Sequence, residues 1–160
     1  MNVHTFFVAA LLSLLPISEL RGAIPYAIAK GVPVLAAYLF CVILNALVGP
    51  IVYIFLSTLH RLLSKIPLYR RLFDKIVQRA RLKVGKQVNK FGYIGIMLFV
   101  AVPLPVTGAY TGTLGAWILG LNAKKTCLVV AAGVCIAGII VTLVSVLGIE
   151  ALSLFVKKTF

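Results

Sequence analysis

The sequence is poor in the side chains on which catalysis and metal binding usually depend. Its 160 residues include three acidic residues, two histidines and three cysteines. His4 and His60 are isolated, and Cys41, Cys127 and Cys135 lie in apolar stretches without a C-x-x-C spacing. No nucleophile–base pair and no set of metal ligands can be assembled from these residues. We therefore expect no metal, no cofactor and no enzymatic reaction, and a lipid phosphatase is the weakest of the functional classes considered.

Apolar residues, by contrast, dominate the chain. They make up 62% of the sequence, and the mean hydropathy is +1.11. A soluble domain of this length could not bury so much apolar surface. The composition predicts an all-α integral membrane protein that forms a single membrane domain over residues 1–160.

The apolar residues fall into four blocks, two of which are interrupted near their middle. The blocks cover residues 5–29, 32–57, 91–120 and 126–149. The second and fourth are long enough to cross a hydrocarbon core of about 30 Å as spanning helices. The first and third are broken by prolines and polar residues into halves too short to span. These two blocks therefore predict re-entrant helical hairpins or broken spanning helices.

The same order of a broken block and a whole helix occurs twice, in residues 1–59 and in residues 91–160. A faint echo supports a repeat, since Arg21–Tyr26 and Thr107–Gly112 fall in matching blocks, as do Gly31–Pro33 and Gly120–Asn122. Interrupted segments in matching positions are the pattern expected of transporters built from repeats. We predict an inverted repeat of a re-entrant hairpin followed by a transmembrane helix.

Two topologies remain open for the interrupted blocks. With re-entrant hairpins, the chain ends lie outside and Lys124-Lys125 lies inside. With broken spans, both ends and Lys157-Lys158 lie inside, and Lys124-Lys125 is left outside. The uncharged N-terminus and Lys124-Lys125 favour re-entrant hairpins, whereas Lys157-Lys158 opposes them. We favour the re-entrant arrangement.

Residues 60–90 link the two halves and carry ten of the sixteen Lys and Arg residues. Cations recur close to helical spacing, at Arg71, Lys75, Arg79, Lys83, Lys86 and Lys90. This pattern predicts a basic amphipathic helix on the cytoplasmic leaflet of the plasma (inner) membrane of a multi-pass protein. Too few aromatic residues lie among these cations to indicate nucleic-acid binding, so we expect no nucleic-acid partner.

The first candidate site is the segment Pro16-Ile-Ser-Glu-Leu-Arg-Gly-Ala-Ile-Pro25. An ionised side chain at the bilayer centre costs about 3 kcal/mol on insertion scales, so Glu19 and Arg21 are expected to face a site within the protein. The prolines and Gly22 are expected to break the helix there. Arg21 would hold an anionic head group, and Glu19 would be the protonatable group that couples transport to protons. Alternatively, the two charges neutralise each other or the partner hairpin and seal the tip.

The second candidate site is the segment Val102–Thr113. Pro103 and Pro105 are expected to stop the helix, and Gly108 to let the backbone approach closely. The turn should aim unpaired N–H groups and the positive end of the next helix at an anion. The full set of predicted substrate-binding residues is Glu19, Arg21, Gly22, Pro25, Pro103, Pro105, Thr107, Gly108, Tyr110 and Thr111. Alternatively, Gly108 and Gly112 only pack two helices. Asn45, in the middle of the second block, is expected to make an interhelical hydrogen bond.

The two motifs resemble the signature segments of the small multidrug export protein family. The resemblance rests on Glu19–Pro25 and Pro103–Gly112 and covers most of the chain. That family is considered a distant relative of the DedA/VTT membrane proteins, which carry re-entrant hairpins in an inverted repeat. The resemblance implies transport, since DedA relatives are associated with moving lipid-linked phosphates or phospholipids across the bilayer, often with proton coupling.

The favoured hypothesis is a transporter or flippase for an anionic amphiphile such as a polyprenyl phosphate or phospholipid. The alternatives are a small multidrug efflux carrier, in which Glu19 would bind a cation against the opposing charge of Arg21, and a scaffold without transport activity. The expected partners are membrane lipids, the anionic substrate and protons. Because two full spans would hardly enclose a path alone, we also expect a homodimer.

Overall fold

The computed structural model describes residues 3–67, 74, 92–104 and 107–159, with side chains described as far as residue 148. Every regular element in these ranges is helical, which confirms the all-α prediction. The helices are α1 (Val3–Leu14), α2 (Glu19–Ala29), α3 (Val34–Ala46), α4 (Val48–Leu63), α5 (Gly92–Ala101), α6 (Ala109–Ile118) and α7 (Ala123–Thr159). The predicted amphipathic helix between residues 60 and 90 lies largely outside the described residues.

Two stretches of helix are long and apolar enough to cross a membrane. Val34–Leu63, which joins α3 to α4, contains an 18-residue window with a mean hydropathy of 2.5, and such a window in Ala123–Gly148 of α7 reaches 2.8. Large apolar side chains face outward on both, for example Leu35 and Leu128, which are 68% and 71% exposed. The two helices that were predicted to span the membrane are therefore long and apolar enough to do so. Both helices continue beyond the apolar blocks, because hydropathy marks the membrane boundary and not the end of helical hydrogen bonding.

The first interrupted block consists of two helices, α1 and α2, joined at residues 15–18. α1 runs alongside α3 in the same direction. The rings of Phe6 and Phe40 meet edge to face with centroids 5.1 Å apart, and further along the pair Asn45 Nδ2 donates to the Ser13 carbonyl at 2.8 Å. The predicted interhelical hydrogen bond of Asn45 is therefore confirmed.

The third block consists of α5 and α6, which pack in opposite directions. Atoms of Ile96 lie within 4 Å of the β-carbon positions of Gly112 and Gly115, and Val100 packs against Gly112. At the other end of the pair, the Asn122 N–H donates to the Tyr93 hydroxyl at 3.1 Å. Residues that come later in α5 contact residues that come earlier in the second helix, so α5 and α6 are antiparallel and form a hairpin.

The prediction that Gly22 and Pro25 break the helix beside the charges is wrong. α2 begins at Glu19 and continues through both residues to Ala29. The break lies earlier, around Pro16, so Glu19 and Arg21 share the first turn of α2. Pro25 is tolerated inside the helix, although it lacks the N–H that would bond the carbonyl of Arg21. Gly22 is needed for space, because an added Cβ there would lie 2.9 Å from the Cβ of Ser18.

The two halves of the chain share the same turn into their long helices. Gly31 after α2 and Gly120 after α6 both adopt positive φ, 82° and 71°. In each turn the glycine N–H bonds the carbonyl three residues earlier, and the next N–H bonds the carbonyl five residues earlier. This is the Schellman motif, which ends a helix at a glycine. Pro33 and Asn122 then precede α3 and α7.

These turns set the correspondence between the halves. Gly120 follows Gly31 by 89 residues, and Asn122 follows Pro33 by the same 89. The expected match of Arg21 with Thr107 gives an offset of 86, three residues less than the offset between the turns. With the offset of 89, Glu19 corresponds to Gly108 and Arg21 to Tyr110. This is the register obtained when the two halves are aligned on the glycines that end α2 and α6.

Glycines on α7 allow the neighbouring helices to approach closely. A Cβ at Gly133 would lie 2.7 Å from the Met97 carbonyl oxygen and 2.8 Å from the Cβ of Val100. A Cβ at Gly138 would lie 2.6 Å from Val42 Cγ2. Small residues at helix contacts are typical of membrane proteins, where close van der Waals packing replaces the hydrophobic effect between helices. At these glycines, the backbone of α7 therefore packs directly against α5 in its own half and against α3 in the other half.

Gly133→Ala should destabilise the protein by about 1–3 kcal/mol, because the new methyl group meets backbone and α5 must move away. The matched control is Gly95→Ala, also in a helix interior, where nothing lies within 4 Å of the added Cβ. That change should be neutral or stabilise by up to about 1 kcal/mol through helix propensity. Thermal unfolding of the purified protein in detergent measures both, and equal melting temperatures for the two variants would contradict the close packing.

Candidate functional site

Glu19 lies where the tips of the two broken blocks meet. It is 6% exposed, and its Oε2 accepts a hydrogen bond from the Ala109 N–H at 3.4 Å. Ala109 is the first residue of α6, so the carboxylate faces the positive end of that helix. The N-terminus of α6 was predicted to receive an anion, and in this structure the anion is Glu19 itself.

The backbone of Glu19 is strained. Its φ is 44°, and it is the one non-glycine residue with positive φ in the part of the chain that the structure describes. Such a conformation costs about 1–3 kcal/mol and persists where the surrounding structure imposes it, often at binding or switch sites. The strain accompanies the contact that places the Glu19 carboxylate against α6.

Gly108 provides the space that the Glu19 carboxylate occupies. A Cβ at this position would overlap that carboxylate, lying 2.6 Å from Cδ and 2.6 Å from Oε1. The φ of 156° and ψ of −169° at Gly108 also fall in a region that is essentially restricted to glycine. Two independent constraints, space and backbone conformation, therefore require glycine here.

Arg21 and Tyr110, which correspond by the offset of 89, both reach across to the opposite tip. Arg21 donates through Nη2 to the Thr107 carbonyl, and the Tyr110 hydroxyl donates to the Leu14 carbonyl. The hydrogen bonds of Glu19 and Arg21 thus go to the second tip and not to each other. These are contacts that the sealing alternative predicts, and they also hold both charged groups at one place.

The predicted head-group hydroxyls of Thr107 and Thr111 instead shape the second tip. The Thr107 hydroxyl lies 2.6 Å from the Val102 carbonyl and 2.9 Å from the Leu104 carbonyl, and it accepts from the Leu104 N–H at 3.0 Å. The Thr111 hydroxyl donates to the Gly108 carbonyl at 3.4 Å. Of these two residues, only Thr107 lines the cavity described next.

The tip contact encloses a small cavity of about 10 Å³, the room for roughly one water molecule. Its polar lining comes from Glu19, Arg21, Asn45 and Thr107. Pro103 and Gly108 contribute as well, and apolar residues of α5 and α7 close the rest. The structure thus brings together five of the predicted site residues around one space: Glu19, Arg21, Pro103, Thr107 and Gly108.

A larger groove of about 340 Å³ begins at Arg21 and runs along α7. Pro25 and Pro103 flank it beside Arg21, and the α7 residues Ile140, Val141, Val144 and Ser145 line the remainder. Gly22 lines neither space, and Pro105 lies outside the described residues. Nor do the described residues contain a cluster of three His, Cys, Asp or Glu side chains that could hold a metal ion.

Sequence reasoning did not place Asn45, Val141 or Ser145 in the site. The sequence did offer a signal for Asn45, because an amide side chain in the middle of a spanning helix must find its hydrogen-bond partners within the protein. The α7 residues carried none, because Val141 and Ser145 resemble other apolar and small residues of a spanning helix. Their position beside Arg21 depends on how α7 crosses the tips.

Comparison with known proteins gives one family match. A family model described as "Putative small multi-drug export protein" matches residues 19–140, which include Glu19 and Arg21, the second tip, the link between the halves and about half of α7. No curated protein and no solved structure matches the chain.

Gly108→Ala should destabilise the protein by at least about 2 kcal/mol, because the methyl group meets the Glu19 carboxylate and the backbone conformation disfavours alanine. The cost should be smaller when Glu19→Ala is already present, since the clash is then removed while the backbone strain stays. The control is Gly115→Ala in the same helix, where the nearest contact of an added Cβ is an ordinary 3.8 Å. Thermal unfolding of the four variants checks this, and a cost that does not depend on residue 19 would contradict the contact.

Proposed function

The chain belongs to the small multi-drug export protein family, and from this premise we propose that it exports an anionic amphiphile across the membrane. The head group, a phosphate in a polyprenyl phosphate or phospholipid, would bind at Arg21. The apolar body would lie in the groove along α7. The observation that carries the proposal is the position of Arg21, the one charged residue among those that line this apolar groove.

The shape of the groove supports an amphiphile. A volume of about 340 Å³ lies within the range of pockets for small molecules. Its walls are almost entirely aliphatic, apart from Arg21 at one end and Ser145 on α7. A guanidinium group offers a bidentate fork to phosphate and stays charged at any physiological pH. A ligand with one anionic end and one apolar end satisfies both parts.

Glu19 provides a route for proton coupling in this proposal. When ionised, its carboxylate accepts the hydrogen bond of the Ala109 N–H at the start of α6. This N–H lies close to where Arg21 would bind the head group. An incoming phosphate would compete for the same donors and the same helix dipole. Protonation of Glu19 would weaken its hold on α6, so uptake of a proton would favour binding of the anion.

The architecture that we propose for this function is an inverted repeat of re-entrant hairpins, with the basic link on the cytoplasmic side of the plasma membrane. Support comes from the two Schellman turns 89 residues apart and from the reciprocal reach of Arg21 and Tyr110. The tips would then meet within the membrane, where half-helices of transporters bind their substrates. A homodimer would complete the enclosure of the path.

Export of cationic drugs is the second candidate, because the family description names multidrug export. The apolar groove would accept the body of such a drug equally well. Its cationic end would need Glu19, which is 6% exposed and already held by α6, with the positive charge of Arg21 beside it. Charge therefore favours the anionic ligand at this site.

Val144→Trp should block transport, because Val144 lines the groove and is 65% exposed, so the indole can fill the groove without entering the core. The matched control is Leu143→Trp, at a neighbouring position that is 59% exposed and faces a different groove on the same helix. We expect at least a tenfold loss of flux for the first variant and near wild-type flux for the second. The assay follows a fluorescent alkyl phosphate and a fluorescent cationic dye in proteoliposomes. Movement of the dye alone would favour the second candidate, and equal loss in both variants would contradict the groove.

Arg21→Lys should lower the flux of the alkyl phosphate about tenfold while leaving the melting temperature close to wild type, because lysine keeps the charge but loses the bidentate fork. Arg61→Lys, an exposed change of the same kind in α4, is the control and should have no effect. If the pair only seals the tips, each single change to leucine strands a buried charge and costs several kcal/mol. Recovery of both stability and full flux in the double change Glu19→Leu with Arg21→Leu would overturn the binding role.

A further inference from the structure

The side-chain oxygen of Asn45 has no hydrogen-bond partner among the residues that the structure describes. Asn45 lies near the end of α3, and it is 1% exposed. Its Nδ2 donates to the Ser13 carbonyl at 2.8 Å, whereas its Oδ1 is buried and unpaired. Leaving a buried acceptor unsatisfied costs the full desolvation of that group, so a donor is expected for it in some state of the protein.

The unpaired amide and the Glu19 carboxylate line the same cavity of about 10 Å³. An ionised carboxylate and an amide oxygen are both acceptors, so neither can satisfy the other. A protonated carboxyl group, however, gains one O–H donor. The proton that Glu19 takes up would therefore supply the donor that Asn45 lacks, directly or through the single water for which the cavity has room.

We propose that Asn45 is a positioning residue for proton exchange, which accepts the hydrogen bond of Glu19 whenever Glu19 is protonated. This rests on the proton coupling proposed above. The Glu19 carboxyl then has two sets of partners. Ionised, it is held by the Ala109 N–H of α6; protonated, it donates toward Asn45 Oδ1 on α3 and releases α6. Asn45 thus sets the pH at which the tip contact opens.

Few other charged or titratable groups surround this cavity. Arg21 on α2 lines it and donates to the Thr107 carbonyl, and Tyr110 on α6 donates to the Leu14 carbonyl. Cys41 lies one turn before Asn45 on α3 and is fully buried. The remaining lining residues do not titrate; they are Leu20 of α2, Val100 of α5, Pro103, Thr107 and Gly108 of the second tip, and Val134, Ala137 and Val141 of α7. Glu19 is therefore the group whose proton can change the hydrogen bonding of Asn45 at acid to neutral pH.

The experiment measures the melting temperature of the purified full chain as a function of pH, for the wild type and for Glu19→Gln. The pH-dependent change that is present in the wild type and absent in Glu19→Gln belongs to Glu19, and the pH at its half-way point is the Glu19 midpoint. Asn45→Leu removes the acceptor for the protonated form, so the Glu19 midpoint should move to lower pH by about one unit, the size of one net hydrogen bond. Asn45→Asp places a second carboxyl on the cavity. The two carboxyls would share a proton, and the midpoint should move to higher pH.

Ser13→Ala is the control, because it alters a buried neighbour and keeps the backbone carbonyl to which Asn45 donates. It should leave the midpoint unchanged. The proposal is overturned if both Asn45 variants lower the melting temperature equally at every pH without moving the midpoint, since Asn45 then only joins α3 to α1. Should Asn45→Leu fail to fold, the Asn45→Asp curve decides alone. A midpoint that moves as expected in a protein without flux supports the role of Asn45 while contradicting the proposed transport.

Discussion

The contact between the Glu19 carboxylate and the first turn of α6 holds the two halves of this protein in register. It requires a glycine at position 108, both to make room and to adopt the backbone conformation found there. It also accompanies the positive φ of Glu19. Arg21 and Tyr110 bind the opposite tips on either side of it. Without the Glu19 carboxylate, the N–H at the start of α6 would lose this acceptor. The hydrogen bonds of Arg21 and Tyr110 would then remain between the tips.

A charged contact of this kind explains how the protein tolerates ionisable groups among apolar helices. Glu19 receives a backbone donor and a helix dipole, and Arg21 receives a backbone carbonyl, so each is satisfied by the other half of the chain. In the function proposed above, a substrate phosphate would use the two donors of this contact, the Ala109 N–H and the Arg21 guanidinium. Binding would thus exchange one set of satisfied hydrogen bonds for another, which keeps the difference in free energy between the closed and bound states small.

Hydropathy and charge in the sequence were sufficient to predict the two long apolar helices, the two interrupted blocks and the meeting of Glu19, Arg21 and Gly108 at the tips. These features are local, since each depends on the composition of a short segment. The sequence could not reveal that Gly22 and Pro25 lie inside α2, because the strain of a proline is outweighed by packing that involves distant helices. It likewise could not show that Glu19 accepts from the first N–H of α6, since the two residues are 90 positions apart, nor that Asn45 lines the same cavity.

The correspondence of Glu19 with Gly108 has a consequence for the origin of the fold. If the halves descend from one ancestral half-length protein that paired with a copy of itself, both copies carried the same residue at this position. Two carboxylates would then have faced each other, or two glycines would have left the space between the tips empty. The present contact needs a carboxylate at one of the two positions and a glycine at the other. The two positions could diverge only once there were two separate copies of the sequence, so a homodimeric ancestor of this kind would have joined its tips without this interaction.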